Sequence, residues 1–350
     1  MTMAPTALLL FASSLTPPAA PRVTVERRVA LMGTTADIAV VAADRPAGLD
    51  ASENAVRELS RIEDLLTTWR PGSPLASLNQ FAVGEEHVLD AELFEVLSEV
   101  FAWSQRTGRA FDPTVLPLVR AWGLREGGRM PSPAELAAAL ASTGPSRFRL
   151  EPSRRVAVRL DAGAAIDEGA WGKGYALDRA AARLKEAGVT DAMVDLGGQV
   201  FALGSPESGA AWTIAVAHPV ERERSVVTLG VTNASVSTSG NSERRKIVGG
   251  RAIGHLLDPR TGEPALDFGS ATVVAPSGLV ADILSTALFV LGPERGLALS
   301  ERLRREGVPN EVLFLVERDG ALDAVFSPGI PPLVLSTDTR AVRGLPTFHH

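Results

Sequence analysis

The segment "VADILSTALF", residues 280–289, is almost entirely apolar and is followed by Gly292 and Pro293. Its apolar residues leave no solvent face at helical spacing, so the segment predicts a buried helix that ends at Gly292. Asp282 and Thr286 interrupt the run four positions apart, which places both on one face of that helix. A buried carboxylate needs a cation, several hydrogen-bond donors or a proton, because burial without a partner is costly.

Two explanations fit this pair of polar residues. Asp282 can lie near the first turn, where the helix dipole favours an acid, while Thr286 donates to the carbonyl of the preceding turn. Alternatively, the carboxylate and hydroxyl oxygens converge on a cation. The sequence of this helix does not distinguish between the two explanations, so motifs elsewhere in the chain are needed.

Composition excludes several classes of protein. The chain has 350 residues, and a hydrophobic fraction of 45% is enough for a substantial core. A net charge of −6, the lack of a basic block and only 5% aromatic residues argue against a nucleic-acid partner. The absence of cysteine excludes thiolate catalysis, disulfides and cysteine zinc sites. The histidines form no HExxH or comparable pair, which argues against a transition-metal site.

The N-terminus resembles a targeting segment. Residues 7–15 form an apolar run of signal-peptide length, and residues 17–21 supply the small and turn residues expected near a cleavage site. We therefore predict a signal peptide at 1–21, export to a periplasmic or other extracytoplasmic compartment, and one domain over 22–350. The alternative is a cytoplasmic protein, since the segment has no Lys or Arg before the apolar run. No other segment has the length of a membrane span, so no integral span is expected in the mature protein.

The remaining pattern interleaves helices and strands without strict βαβ alternation. It predicts an α+β fold, a single compact domain with mixed sheets flanked by helices. Amphipathic helices are predicted over 50–69, 91–106, 131–140 and 172–187, the third with Ser132 as its N-cap. Two strands joined by a turn at Gly33 are predicted over 22–43, and hairpins over 148–163 and around Asp319-Gly320.

Two glycine-rich segments stand out. In "IDEGAWGKGYALD", residues 166–178, three glycines surround Lys173 before a helix. Free N–H groups at a helix start, together with a lysine, are typical of an anion site, although a tight structural turn fits as well. The glycine spacing matches neither a Walker loop nor GxGxxG. In "VDLGGQV", residues 194–200, the glycine pair either approaches a ligand or forms a bulge.

Taken together, the motifs resemble those of a known family, the FAD:protein FMN transferases or ApbE family. The resemblance runs from about Ala30 to Gly292. The motifs, in the family's order, are "MGT" at 32–34, "FDPTVLPLVRAWG" at 111–123, "IDEGAWGKGYALDRAA" at 166–181, "VDLGG" at 194–198, "STSG" at 237–240, "HLLDPRTGEP" at 255–264 and "VADILSTALFVLG" at 280–292.

The resemblance implies an enzyme that binds FAD and Mg²⁺, cleaves the pyrophosphate and releases AMP. The FMN moiety is attached through a phosphoester to a threonine or serine of an acceptor flavoprotein, such as a membrane electron-transfer subunit or a soluble FMN-binding domain. Some members instead hydrolyse FAD to FMN and AMP. A FAD pyrophosphatase and a non-catalytic FAD-binding protein are therefore the alternatives.

The resemblance also implies site residues. The expected metal ligands are the carbonyl of Ala170 and the side chains of Asp282 and Thr286. His255 is the candidate general base. The expected FAD contacts are Met32, Trp69, Ala110, Phe111, Asp112, Asp167, Lys173, His255 and Leu256. The sequence departs from the family pattern at Glu168, Trp171, Gln199, Asn241 and Ser242, which leaves acceptor recognition, and the choice between transferase and hydrolase, open.

Overall fold

The computed structural model describes residues 22–206, 209–241, 246–248 and 250–345, and the predicted signal peptide lies outside them. The helices are α1 (Arg45–Leu66), α2 (Pro74–Leu78), α3 (Ala91–Arg106), α4 (Leu116–Ala121), α5 (Pro133–Ala141), α6 (Gly172–Glu186), α7 (Gly278–Leu291) and α8 (Pro293–Arg305). The strands are β1 (Val23–Leu31), β2 (Thr34–Ala42), β3 (Glu86–Val88), β4 (Phe148–Glu151), β5 (Val156–Arg159), β6 (Asp191–Leu196), β7 (Gln199–Leu203), β8 (Trp212–Ala217), β9 (Ser225–Val231), β10 (Ala234–Gly240), β11 (Lys246–Val248), β12 (Arg251–Ile253), β13 (Gly269–Ala275), β14 (Glu311–Arg318), β15 (Ala321–Phe326), β16 (Val334–Thr337) and β17 (Val342–Arg343).

A nine-stranded sheet organises the molecule, with the strand order β1-β2-β6-β7-β10-β13-β14-β15-β17. Its pairs are antiparallel except for β15 and β17, which run parallel. One face packs against α1, α6, α7 and α8, and α3 joins these helices in the main core. The other face packs against the three-stranded sheet β16-β9-β8. The α+β class with mixed sheets is therefore confirmed.

Helix α7 lies in the main core, as its apolar sequence predicts. It contacts α6, α8, β10 and β13, so little of its circumference faces solvent. The Ser277 hydroxyl caps its start by accepting from the N–H of Val280, and Gly292 ends it with φ 78°. The predicted end of this helix at Gly292 is confirmed.

The helix after the first hairpin differs from its predicted bounds. The prediction began at Asp50, whereas α1 begins at Arg45 with Asp44 as its N-cap. The Asp44 carboxylate accepts from the N–H of Ala47, and a proline stands in the first turn, where its missing N–H costs nothing. The helix also ends before Trp69, because Thr67 is extended. Trp69 therefore lies in a loop.

The glycine pair of "VDLGGQV" closes a hairpin between β6 and β7. Gly197 and Gly198 have φ values of 62° and 87°, and Leu196 pairs with Gln199 directly across the turn. A two-residue turn with positive φ at both positions matches the twist of antiparallel strands, and glycine adopts it without steric cost. Of the two alternatives for this pair, a ligand contact or a bulge, the regular register excludes the bulge.

Candidate functional site

A single cavity collects residues from distant parts of the sequence. Its volume is about 1210 Å³ when its open mouth is included. The predicted site residues that line it are Trp69, Ala110, Phe111, Asp112, Asp167, Ala170, Lys173, His255, Leu256, Asp282 and Thr286. A large cleft with a few converging polar groups is the usual form of a small-molecule site.

Met32 is the exception among the predicted site residues. It lies in the turn between β1 and β2, with φ 52°, and its N–H donates to Glu63 Oε2 at 3.0 Å. The side chain is half-buried against the main core. Met32 is not part of the cavity lining. The position of this cavity therefore does not support the expected FAD contact at Met32.

Asp282 is a buried carboxylate in the cavity wall. It is 4% exposed and accepts from the N–H of Gly174 at 3.0 Å. Burial raises its pKa above the usual range, while the charge of Lys173 and the Gly174 N–H act in the opposite direction. Asp282 is the fifth residue of α7, beyond the first turn. The dipole of α7, whose effect falls off beyond the first turn, therefore does not by itself explain this carboxylate.

The hydroxyl of Thr286 faces the same cavity. Its Oγ1 lies 3.4 Å from Ser239 Oγ at the end of β10. The hydroxyl that donates back to the carbonyl of Asp282, at 2.9 Å, belongs instead to Ser285. The cavity-facing position of Thr286 thus leaves its oxygen available to a ligand, in addition to Ser239.

The oxygen atoms at this place suit a hard divalent cation. Asp282, Thr286 and Ala170 all line the cavity, and they offer a carboxylate, a hydroxyl and a backbone carbonyl. Mg²⁺ prefers oxygen ligands and often completes its shell with water and substrate phosphate. Within the described residues, no group of three or more His, Cys, Asp or Glu side chains could hold a metal. A metal here would have one carboxylate, one hydroxyl and one carbonyl from the protein, with water or substrate phosphate to complete its shell.

The starts of α6 and α7 approach each other at two glycines. A Cβ on Gly174 would lie 2.6 Å from the carbonyl carbon of Gly278 and 2.8 Å from Asp282 Cβ. Only glycine permits this distance, and it directs the Gly174 N–H at Asp282. One free N–H of the glycine-rich segment thus binds a carboxylate of the protein, and binding of a substrate anion by this segment stays a prediction.

Two polar side chains, one half-buried and one buried, position the start of α7. The carboxylate of Asp178, in α6, accepts from Ser277 Oγ at 2.7 Å and from the N–H groups of Gly278 and Leu279. Burial raises the pKa of Asp178, and these donors oppose the rise. The amide of Gln199 donates to the carbonyl of Gly278 at 2.9 Å. Both contacts hold the helix that carries Asp282.

The "FDPT" segment also contributes to the cavity wall. Phe111 is buried, and Asp112 accepts from the N–H and hydroxyl of Thr114 and from Arg109 Nε at 3.0 Å. These contacts fix the turn before α4. The loop that carries His255 and Leu256 is held by Trp122, whose Nε1 donates to the carbonyl of Gly262 at 2.7 Å.

The departures from the family pattern lie mostly inside the protein. Trp171 is fully buried, and its Nε1 donates to the carbonyl of Asp167 at 2.8 Å. Glu168 accepts from the N–H and hydroxyl of Thr68, while burial and the charge of Asp167 raise its pKa. Asn241 is buried as well, and Ser242 lies outside the described residues. The described departures therefore belong to internal packing.

Several cavity residues were not predicted from the sequence. "STSG" was recognised only as a motif, yet Thr238, Ser239 and Gly240 line the cavity at the end of β10. Arg125 also lines it, and nothing in the surrounding "WGLREGG" distinguishes this arginine from an exposed loop residue. The hydroxyl-rich end of the strand could have indicated a binding site from the sequence, whereas nothing near Arg125 could have done so.

Comparison with known proteins shows which family the chain resembles. The family model described as "ApbE family" matches residues 32–309. The FAD:protein FMN transferase of Salmonella typhimurium is 28% identical over 296 residues, covering 83% of each chain. One from Klebsiella pneumoniae is 33% identical over 243 residues, covering 69% of this chain and 75% of its own.

Solved structures agree as well. The flavin transferase ApbE from Vibrio cholerae superimposes with a TM-score of 0.78 at 29% identity, covering 89% of this chain and 100% of its own. The ApbE protein of Thermotoga maritima gives 0.77 at 28% identity, covering 84% and 94%. With the family model spanning most of the sequence and with relatives similar along most of their length, the chain belongs to the ApbE family.

Proposed function

We propose that this protein is a Mg²⁺-dependent FAD:protein FMN transferase that modifies a threonine or serine of an acceptor flavoprotein. The main support for this proposal is the buried carboxylate of Asp282, which lines one cavity together with Thr286, Ala170 and Lys173. A binding protein would gain nothing from burying such a carboxylate in the cavity wall, whereas a phosphate-cleaving enzyme uses it to hold a metal. The FAD:protein FMN transferase activity named for its relatives supports the same reading.

The reaction exchanges one phosphorus–oxygen bond for another. The acceptor hydroxyl oxygen bonds to the FMN phosphorus, the bond from that phosphorus to the bridging oxygen breaks, and AMP leaves with the bridging oxygen. A magnesium ion held by Asp282, Thr286 and the carbonyl of Ala170 would supply charge stabilisation for the phosphates. Lys173 adds a point charge for phosphate, and Phe111 and Leu256 bury the ring system.

The assay follows directly from this chemistry. The purified protein is incubated with FAD and Mg²⁺, with and without EDTA, and with a candidate acceptor or its hydroxyl-lacking variant. Metal-dependent AMP release that leaves FMN on the intact acceptor supports the transferase. AMP and free FMN without an acceptor would mean a pyrophosphatase. FAD left intact with competent acceptors would contradict the proposal.

His255 is the candidate general base for the acceptor hydroxyl. It lies half-buried in the cavity lining, in the loop held by Trp122. Replacing it with alanine should lower the rate of AMP release by about 100-fold or more, because a positioned base contributes roughly that much. FAD affinity, measured by titration, should stay nearly constant. A variant with wild-type turnover would remove His255 from the mechanism.

We also propose that the protein is exported, on the basis of the apolar segment at 7–15 and the residues that follow it. Among the described residues, every helix is too short or too polar to cross a bilayer. N-terminal sequencing of the protein purified from its native cell provides the check. A mature start near Arg22 supports export, and a start at Met1 or Thr2 contradicts it.

A further inference from the structure

Arg125 joins three segments of the cavity wall. It lies between α4 and α5, and its guanidinium donates to the carbonyl of Thr68 at 3.2 Å and to its hydroxyl at 2.6 Å. It also donates to Asp167 Oδ2 at 2.6 Å. One planar group thus connects the loop after α1 with the loop before α6.

The same guanidinium lies over the indole of Trp69. The Arg125 Cζ is 4.4 Å from the ring centroid, which is a cation–π distance. Trp69 is 60% exposed although it lines the cavity. An exposed indole in a loop has several rotamers available, so its position at the cavity mouth depends on neighbours that hold it.

The charge of Arg125 is already balanced within the protein. Asp167 is ion-paired with it, and Glu168 Oε2 lies 3.8 Å from the guanidinium. Glu168 also accepts from the N–H of Thr68 at 3.1 Å and from its hydroxyl at 2.5 Å. Thr68, which directly precedes Trp69, is therefore held by Arg125 and by Glu168. A cation committed to two carboxylates is poorly suited to serve as the main phosphate-binding group.

We infer that Arg125 is a positioning residue that holds Trp69 as an aromatic wall for the isoalloxazine ring. This inference rests on the proposed function, because it takes FAD as the substrate. Arg125 acts on the flavin through the indole, and the Arg125–Thr68–Glu168 contacts keep the loop in place. The family pattern has no charged residue at the position of Glu168. Its hydrogen bonds to Thr68 explain why a carboxylate is present there in this protein.

A double-mutant cycle tests the inference through binding. Arg125→Ala, Trp69→Ala and the double variant are titrated with FMN, which carries the flavin ring, and with ADP, which lacks it. Arg125→Ala should weaken FMN binding by about 10-fold, the size of a partly desolvated cation–π contact. ADP binding should stay unchanged, and Arg125→Ala should add little once Trp69 is absent. Arg125→Lys should resemble Arg125→Ala, because lysine keeps the charge but cannot stack and bond bidentately.

Two further measurements separate positioning from general stability. The fluorescence of Trp69, taken as the difference between each protein and its Trp69→Phe counterpart, should be quenched more readily by acrylamide in Arg125→Ala. Arg129→Ala is the matched control, since this arginine lies in the same loop, pairs with Glu135 and does not line the cavity. It should leave both FMN binding and quenching unchanged.

Three results would overturn the inference. Equal weakening of FMN and ADP would make Arg125 a phosphate-binding residue. Weakening of ADP alone would place adenine against Trp69. An undiminished effect of Arg125→Ala in the Trp69→Ala background would show that the indole is not its intermediary. If the wild-type protein bound no flavin at all, the proposed function would fail, while the quenching measurement would still decide whether Arg125 orders Trp69.

Discussion

Replacing Asp282 with asparagine should abolish metal-dependent FAD cleavage while raising the melting temperature of the metal-free protein. The two effects have one cause. The carboxylate is 4% exposed, and burial raises its pKa, so its charged form destabilises the folded protein when no cation is bound. Asparagine has the same shape and can still accept from the N–H of Gly174, but it carries no charge.

The sign of the stability effect follows from the pKa. A carboxyl group whose pKa is raised on folding loses stability as pH increases above its unfolded pKa. At neutral pH the asparagine variant avoids that loss, of which Lys173 and the Gly174 N–H offset a part in the wild-type protein. Each 1 kcal/mol of this stabilisation should raise the melting temperature by about 1–2 °C, because a chain of this length has a large entropy of unfolding.

Activity should change in the opposite direction. Removal of the only carboxylate among the proposed metal ligands should lower the rate of AMP release by about 100-fold or more. In the wild-type protein, Mg²⁺ added in the presence of ADP should raise the melting temperature beyond the effect of ADP alone, and in Asp282→Asn it should add nothing. Calorimetry with and without Mg²⁺, together with chromatography of AMP, measures both effects.

Asp191→Asn provides the matched control. Asp191 is also a buried carboxylate, but it begins β6 and does not line the cavity. Burial tends to raise its pKa, yet the Ser205 N–H, the Thr190 hydroxyl and Arg22 together lower it. Its charge therefore stabilises the folded protein, and the asparagine variant should melt at a lower temperature with its Mg²⁺ response intact. A Mg²⁺ response retained in Asp282→Asn would rule out Asp282 as a metal ligand.

Replacing Gly174 with alanine should cause the largest loss of stability among these variants. The added Cβ would lie 2.8 Å from Asp282 Cβ and closer still to the backbone of Gly278. A clash with backbone cannot be relieved by rotating a side chain, so α6 and α7 have to separate. Overpacking costs about 1–3 kcal/mol, and a clash with backbone should lie at the upper end of that range. Separation would also withdraw the Gly174 N–H from Asp282, and FAD cleavage should be lost.

Urea denaturation, with the midpoint and slope compared to wild type, measures this effect. Gly127→Ala is the control, because a Cβ there meets nothing within 4 Å and the backbone is not in the left-handed region. Its stability should stay within about 0.5 kcal/mol of wild type. If Gly174→Ala unfolded at the wild-type midpoint, the close approach of the two helices would be wrong.

Much of the fold was predictable because its signals are local. Helix α7 was expected from its apolar residues, the first hairpin from its alternation, and α5 from Ser132, which forms a capping box with Glu135. The early start of α1 was missed, although Asp44 and Pro46 are themselves local signals. The hairpin turn at Gly197 and Gly198 was not predicted, because a bulge and a hairpin turn both favour glycine.

The sequence by itself determined which residues carry oxygen and charge, and in what order along the chain. It identified Asp282 and Thr286 on one helix face and Lys173 in a glycine-rich loop. Only the tertiary structure decided what these groups meet, because each contact joins residues far apart in the chain. Gly174 donates to Asp282 across 108 positions, and Arg125 reaches Thr68 across 57. Local periodicity holds no information about such pairs, which arise when the helices pack on the sheet.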